Sequence, residues 1–254
     1  MNNLLDLAIK YKADKQGRLH HGRDGTVAPA GGRDYVREIY APLFADFKDK
    51  PIHLLEIGVG KHGASLKMWK EYFVKGNIYC FDGFFCYDHE VKPEELNKLG
   101  IHTLKGNQLV REDLLEMAAL APPDGFDIII DDASHAPDAI QITMATLFPY
   151  LRDGGLFIVE DLDCCIRGAG NSNPDILNRW LDSNTTLADN LPRHRKDYDL
   201  EVALKRLSET GEWISETLTK SERQYLANNI KEWKWGTSWQ PESICVIIKG
   251  ERNG

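Results

Sequence analysis

Two acidic segments carry the chemistry that stands out most in this chain: Asp131-Asp132-Ala133-Ser134-His135 and Glu160-Asp161. Each follows a strand-like apolar run, Phe126 to Ile130 and Leu156 to Val159, so both fall at strand carboxyl ends. In an open α/β sheet ligands bind along that edge, and strands joined by one crossover are often neighbours, so these acids are expected to converge. Two like charges about 4 Å apart repel by on the order of 4 kcal/mol at an effective dielectric near 20, so a shared site needs a proton or a cation. Carboxylates and water suit Mg²⁺ or another hard divalent cation better than zinc, which recruits sulfur or imidazole. The competing reading is helix capping by Asp131 or Asp132 and Asp161, and Ser134 or His135 ahead of Pro137 does look like a helix start. His135 is the natural general base, because imidazole titrates close to neutral pH and neighbouring carboxylates raise its basicity.

A second constellation lies upstream, in Glu56-Ile57-Gly58-Val59-Gly60-Lys61-His62-Gly63, which formally satisfies G-x-G-x-x-G. Its glycines allow a tight turn and a close approach of backbone N–H groups to a ligand at a helix N-terminus. Dinucleotides and S-adenosylmethionine both use such a turn. Glu56 stands where a pyrophosphate would lie, a costly like-charge placement for a dinucleotide but not for a zwitterionic sulfonium ligand. Asp82, ending the next strand 22 residues after Gly60, is placed to accept ribose hydroxyls. Asn107 and Gln108, just after the third strand, are candidates for an adenine edge or for a plain turn.

The elements that must hold these residues follow from periodicity. A helix is expected from Leu4 to Tyr11 with Asn3 as cap, then a long glycine- and arginine-containing loop from Gln16 to Arg33, then a helix from Asp34 to Phe47 kinked or split at Pro42. Strands at His53 to Ile57, Ile78 to Phe81, Ile101 to Leu104, Phe126 to Ile130 and Leu156 to Val159 alternate with helices at Gly63 to Phe73, Pro93 to Leu99, Arg111 to Leu120 and Pro137 to Tyr150. Gly154-Gly155 is expected to turn the chain into the last of these strands. That rhythm implies a doubly wound, mostly parallel α/β sheet with helices on both faces. Helices at Pro174 to Leu181 and Leu200 to Ser208, a tryptophan-rich stretch and a closing strand at Ile244 to Ile248 complete the expectation, with Trp233 and Trp235 on one strand face.

Composition narrows the function classes. With 254 residues, 42% hydrophobic and 28% charged, the chain has the profile of a folded protein rather than a disordered one. A net charge of −8 gives no basic field to attract nucleic acid, and no apolar run is long enough for a membrane span. The cysteines Cys80, Cys86, Cys164, Cys165 and Cys245 are odd in number and contain no C-x-x-C pair, which points to reduced thiols and the cytoplasm. One domain is expected, with residues 1–50 as a helical lid segment, 51–165 as the cofactor-binding core and 166–254 as substrate-side helices and closing strands.

With Leu54 to Gly60, Asp82, the DDASH segment and the VED segment in place, the chain resembles metal-dependent class I methyltransferases of the macrocin and mycinamicin sugar O-methyltransferase type. The likeness extends to Asp14-Lys15, Leu19-His20, the helix from Ala64 to Trp69 and the end at Lys249-Gly250. It implies Asp132, Glu160 and Asp161 as magnesium ligands and His135 as base, with Glu56, Gly58, Asp82 and Gln108 along the S-adenosylmethionine site. Gly60, Asn107 and Asp131 complete the expected cofactor set. Ala133 stands where the family often has Gly, Asn107 where it has Asp, and the stretch after His20 looks like an insertion before Tyr35 and Tyr40.

The function that follows is methyl transfer to an oxygen of a small natural-product or sugar-like acceptor, Mg²⁺ lowering the hydroxyl pKa and His135 removing the proton. Carboxylate O-methylation, which needs neither metal nor base, is the alternative; an NAD-dependent oxidoreductase and a non-catalytic binding module are more distant ones. No nucleic acid or membrane partner is expected, and a homo-oligomer is compatible with the sequence.

Overall fold

Apolar runs that hydrophobic contacts cover on both sides form the centre of the molecule. In the computed structural model the described residues are 3–16, 19–21, 27–29, 34–60, 62–84, 91–162, 200–213, 215, 217–236 and 244–250. Strands β3 (His53–Ile57), β4 (Asn77–Asp82), β5 (Ile101–Lys105), β6 (Phe126–Asp131) and β7 (Leu151–Val159) pair in parallel. With β8 (Ile230–Trp235) and β9 (Cys245–Lys249) they form a seven-stranded sheet of order β5-β4-β3-β6-β7-β9-β8, in which β9 is antiparallel to both its neighbours. The chain runs outward from β3 to β5 and then returns to the far side of β3 as β6, creating the reversal of strand order at which open α/β sheets bind ligands.

Helices α3 (Ala64–Tyr72), α4 (Pro93–Lys98), α5 (Arg111–Ala118) and α6 (Pro137–Leu147) make the crossovers, close to the expected spans. Two apolar clusters cover the two sheet faces. Side chains alternate along a strand, so Leu54, Ile128, Ile130, Leu156 and Ile158 point to one cluster. Leu55, Ile57, Ile129, Phe157 and Val159 point to the other. The first cluster contains α1 (Leu4–Tyr11), α3 and the segment carrying Tyr35, Val36, Tyr40 and Phe44. The second contains α5, α6 and α7 (Leu200–Thr210), together with Leu226 and Ala227 of α8 (Lys220–Asn229).

Several expectations are corrected. Within the stretch read as a loop, β1 (Leu19–His21) pairs antiparallel with β2 (Val27–Pro29), strands too short for periodicity to reveal. The segment from Asp34 is split, as Pro42 suggested: a π-helical turn (Val36–Tyr40) precedes α2 (Ala41–Phe44), and the Ala41 N–H donates to Val36 O, one residue wider than an α-helical bond. Strand β7 starts at Leu151 instead of beyond the glycine pair: Phe126 pairs with Leu151 and Ile128 with Leu156, so Gly154-Gly155 lies in a bulge within the strand. Helix α8 has a polar sequence without an apolar stripe, and its signal is the capping box between Thr219 and Glu222. The expected helix at Pro174 to Leu181, and Cys86, Cys164 and Cys165, lie outside the described residues.

Candidate functional site

The ends of β3 and β6 meet at the reversal of strand order. The Asp132 N–H donates to Ile57 O at 2.9 Å, and the Gly58 N–H donates to Phe81 O at 2.9 Å. Gly58 has φ +101°, and a Cβ there would lie 2.1 Å from the Asp132 carbonyl oxygen, so only glycine lets the first turn approach the DDASH segment this closely. A cavity of about 440 Å³ opens above this contact, lined by Gly58, Gly60, Asp82, Asn107 and Gln108 on one side and by Asp132, His135 and Asp161 on the other.

Strand alternation sorts the acids into layers. Glu56 and Glu160, in phase with Leu54 and Ile158, sit over the cluster beneath α1 and α3, and Asp132 closes a triad with them in which ligating oxygens lie within 4.8 Å of one another. A lysine fills this triad. Lys15 Nζ lies 2.5 Å from Asp132 Oδ2, 2.6 Å from Glu160 Oε1 and 3.1 Å from Glu56 Oε1, with its side chain 1% exposed. Tyr40 also donates its hydroxyl to Glu160 Oε1, while Ser65 Oγ (2.9 Å) and Trp69 Nε1 (3.1 Å) donate to Glu56 Oε2. Burial lowers the Lys15 pKa, but Asp132, Glu160 and Glu56 more than offset this and hold the ammonium well above its usual range. Glu160 is pushed up by burial and by Asp132, against lowering contributions from Lys15 and Tyr40. Burial, with Asp132, raises Glu56 as well against the lowering contributions of Lys15 and Ser65, so crowding three carboxyl groups around one ammonium favours protonation in this dry place.

Asp132 belongs to a second group as well. Its carboxylate, a ring nitrogen of His135 and a carboxylate oxygen of Asp161 lie within 4.8 Å of one another, all partly exposed and all facing the cavity. His135 and Asp161 both have φ +55°, a left-handed conformation rare for residues with side chains and found disproportionately at functional sites. Tyr35 Oη donates to Asp161 Oδ1 at 2.8 Å. Tyr35 and Tyr40 flank the π-helical turn, whose wider pitch brings residues five apart toward one face, so consecutive acids receive consecutive tyrosines.

The expected cofactor residues divide likewise. Asp82 lies at the cavity and accepts the Val59 N–H at 2.9 Å and the Phe84 N–H, fastening the glycine turn to β4. Asn107 forms an Asx turn through the Leu109 N–H (3.0 Å), and its own N–H donates to Asp113 Oδ2 (2.7 Å). Gln108 spans two elements: Nε2 donates to Asp131 Oδ1 at 2.7 Å and Oε1 accepts the Ser134 N–H at 3.2 Å. Asp131 and Glu56 do not line the cavity. Asp131 faces the opposite side of the sheet from Asp132, and burial pushes its pKa up to about 7 despite the Gln108 bond. Glu56 is fully buried, so the like-charge argument against a pyrophosphate, which placed this carboxylate in the ligand's path, does not hold: alternation points it away from the cavity.

Lys15, Tyr35 and Tyr40 are the residues that the reading of individual motifs did not assign to the acids. Asp14-Lys15 entered only through the resemblance, and nothing local marks a lysine that meets its partners 117 and 145 residues away. The five-residue spacing of Tyr35 and Tyr40 ahead of Pro42 is the one available signal.

Strand order, the β3–β6 crevice and the acids at its lip define a Rossmann-like methyltransferase fold. No family model matches the chain. In sequence it is similar to mycinamicin VI 2''-O-methyltransferase of Micromonospora griseorubida, 34% identical over 166 residues, covering 63% of this chain and 36% of that protein. It is similar also to 8-demethyl-8-alpha-L-rhamnosyl tetracenomycin-C 2'-O-methyltransferase of Streptomyces olivaceus, 37% identical over 165 residues, covering 63% of this chain and 37% of that protein. Among solved structures it is similar to the mycinamycin-pathway methyltransferase MycE in complex with Mg, SAH and mycinamycin VI, with TM-score 0.66 and 25% identity over 98% of this chain and 55% of that one. The chain thus spans 36–37% of the length of these two curated relatives.

Proposed function

We propose that this chain transfers a methyl group from S-adenosylmethionine to a hydroxyl oxygen of a small, sugar-like natural-product acceptor, assisted by a hard divalent cation with His135 as general base. The observation that carries the reading is the convergence of Asp132, His135 and Asp161 on a cavity whose other wall is the Gly58 turn and Asp82. The relatives support it, since their names describe O-methylation of glycosylated natural products and MycE is seen with Mg and SAH.

The residues present fit both groups. Asp132 and Asp161 offer carboxylate oxygens beside an open cavity, the donor type of a cation that keeps several waters. Glu160, the third acid implied by the resemblance, lies behind them on Lys15 and Tyr40. The cavity volume falls in the range of small-molecule sites, and Asp82 lies on its wall at the end of β4, the position at which a carboxylate meets ribose hydroxyls in such folds. When bound, S-adenosylmethionine supplies the methyl group and the cation supplies the field that lowers an acceptor hydroxyl's pKa.

His135 takes the hydroxyl proton onto its ring nitrogen as the acceptor oxygen becomes nucleophilic, within reach of Asp132 and Asp161 on the same cavity wall. The Gly58 turn and the Gln108 brace, which ties the DDASH loop to β6, fix the reacting groups with little freedom to reorganise. A carboxylate acceptor is already ionised and would leave His135 without a task. A cytoplasmic location is part of the same reading, supported by the free, buried thiols of Cys80 and Cys245.

Calorimetry with S-adenosylmethionine and S-adenosylhomocysteine, with and without Mg²⁺, tests it. Binding of both nucleosides, with Mg²⁺-dependent turnover on a glycosylated acceptor, is the expected outcome. Binding of NAD in their place, or full turnover in EDTA, defeats the reading.

A further inference from the structure

The segment that follows α1 reaches the cavity with alternate residues. Ala13 and Lys15 are buried, whereas Lys12 and Asp14 are exposed and line the cavity beside Ala64 and Ser65, the first residues of α3. The end of α1 is fastened to α3, where Lys10 Nζ and Tyr11 Oη both donate to Glu71 Oε2. Lys12 closes α1 with φ +56°, its N–H donating to Ile9 O at 3.2 Å, and the Ala13 N–H donates to Ala8 O at 3.0 Å. Helices usually give that left-handed position to glycine, and a long side chain kept there points to a use for it. Neither Lys12 nor Asp14 belongs to the acid groups described above.

The charge of the cavity gives this side chain a task. Among the described residues that line it, four are aspartates, Asp14, Asp82, Asp132 and Asp161, and Lys12 is the one lysine or arginine. S-adenosylmethionine brings two cationic groups, the sulfonium and the α-ammonium, and one anion, the α-carboxylate. The aspartates attract the cations and repel the anion, so the carboxylate is drawn to the lysine. With the ribose at Asp82 and the donated methyl group facing His135, the amino-acid tail is left the wall formed by Gly60, Ser65 and residues 12–14. Lys12 and Asp14 put one charge of each sign on that wall, the complement of a zwitterion.

We propose that Lys12 binds the α-carboxylate of S-adenosylmethionine and so selects cofactors that carry this group. The proposal rests on the reading of the cavity as an S-adenosylmethionine site. An ammonium on a flexible four-carbon stem meets a carboxylate as a point charge, so arginine can replace it here. Because Lys12 is exposed before binding, the selectivity expected is about fivefold rather than the larger factor of a dry ion pair.

The test is calorimetry of S-adenosylmethionine and of its decarboxylated analogue, which keeps both cationic groups and lacks the carboxylate, on wild type, K12R, K12M and K12G. K12G relieves the left-handed backbone while removing the charge, and melting curves check that each variant folds. Wild type and K12R are expected to prefer S-adenosylmethionine by about fivefold. On K12M and K12G the preference should fall below about twofold, through weaker binding of S-adenosylmethionine, with the analogue bound at least as tightly as by wild type. A preference that persists on either variant, or an equal loss of both ligands, overturns the role of Lys12 and keeps the cavity as the cofactor site. Wild type binding the analogue as tightly as S-adenosylmethionine does the same. Failure of wild type to bind either ligand overturns the cofactor reading and the proposal with it.

Discussion

The inner and outer halves of the acid array share Asp132 and the same sheet edge, yet they meet their charge in opposite ways. The inner half is closed over by α1, α3 and the π-helical turn, and its carboxylates are met by Lys15, Tyr40, Ser65 and Trp69. The outer half has the same residue types but faces a cavity, with an imidazole in place of the ammonium and a strained backbone at His135 and Asp161. Burial decides the difference. A buried acid must be matched from within the chain when the chain folds, whereas an acid on a cavity wall can be matched by a ligand. Backbone strain accordingly collects in the outer half, and stability depends on the inner.

Substitutions should separate the two halves. The largest effect is expected for His135→Ala, which removes a base worth about 10²- to 10⁴-fold in turnover, measured under saturating cofactor, while S-adenosylmethionine affinity and melting temperature stay near wild type. Turnover within a few-fold of wild type would take His135 out of the chemistry. In the inner half, Tyr40→Phe deletes a hydroxyl that donates to a buried carboxylate and is expected to cost about 2 kcal/mol in urea unfolding, because hydrogen bonds to charged groups are worth roughly 1.5–3 kcal/mol. An unchanged midpoint would mean that Lys15 alone suffices. Tyr35→Phe, its outer counterpart, leaves the partly exposed Asp161 open to water, so a smaller cost, about 1 kcal/mol or less, is expected together with an altered affinity for Mn²⁺.

The smallest effect is a control outside the array. Glu222 caps α8 and meets Arg111 Nε at 2.9 Å in a half-exposed pair. Partial burial raises its pKa, but the Thr219 amide and Arg111 outweigh this and hold it below the usual value. A depressed folded-state pKa means stability that is present above the unfolded pKa of about 4.5 and lost as the pH falls through the folded one. Wild type should therefore lose up to about 1 kcal/mol relative to Glu222→Gln on acidification, read from urea midpoints between neutral and acidic pH. Parallel curves for the two proteins would show that the pair contributes nothing.

The parallel core was legible because its strands are short apolar runs separated by helical periodicity, a pattern that burial on both faces imposes locally. Helix α8 was not, since its stability comes from a capping box and two buried residues rather than from an apolar stripe. The bulged start of β7 was missed because a glycine pair within a strand and one before a strand look alike until the partner's register is known. At the site, the convergence of Asp132, His135 and Asp161 was readable from their positions at strand ends, and the inward orientation of Glu56 was not used, although alternation with Leu54 and Leu55 implies it.

By itself the sequence determined where the acids, the glycine turn and Asp82 fall along the chain, because strand ends and tight turns are written in a few adjacent residues. Only the tertiary structure decided which acids share a charge partner. Lys15 meets Asp132 and Glu160 across 117 and 145 residues, and what makes that contact matter is the exclusion of water by helices from distant parts of the chain.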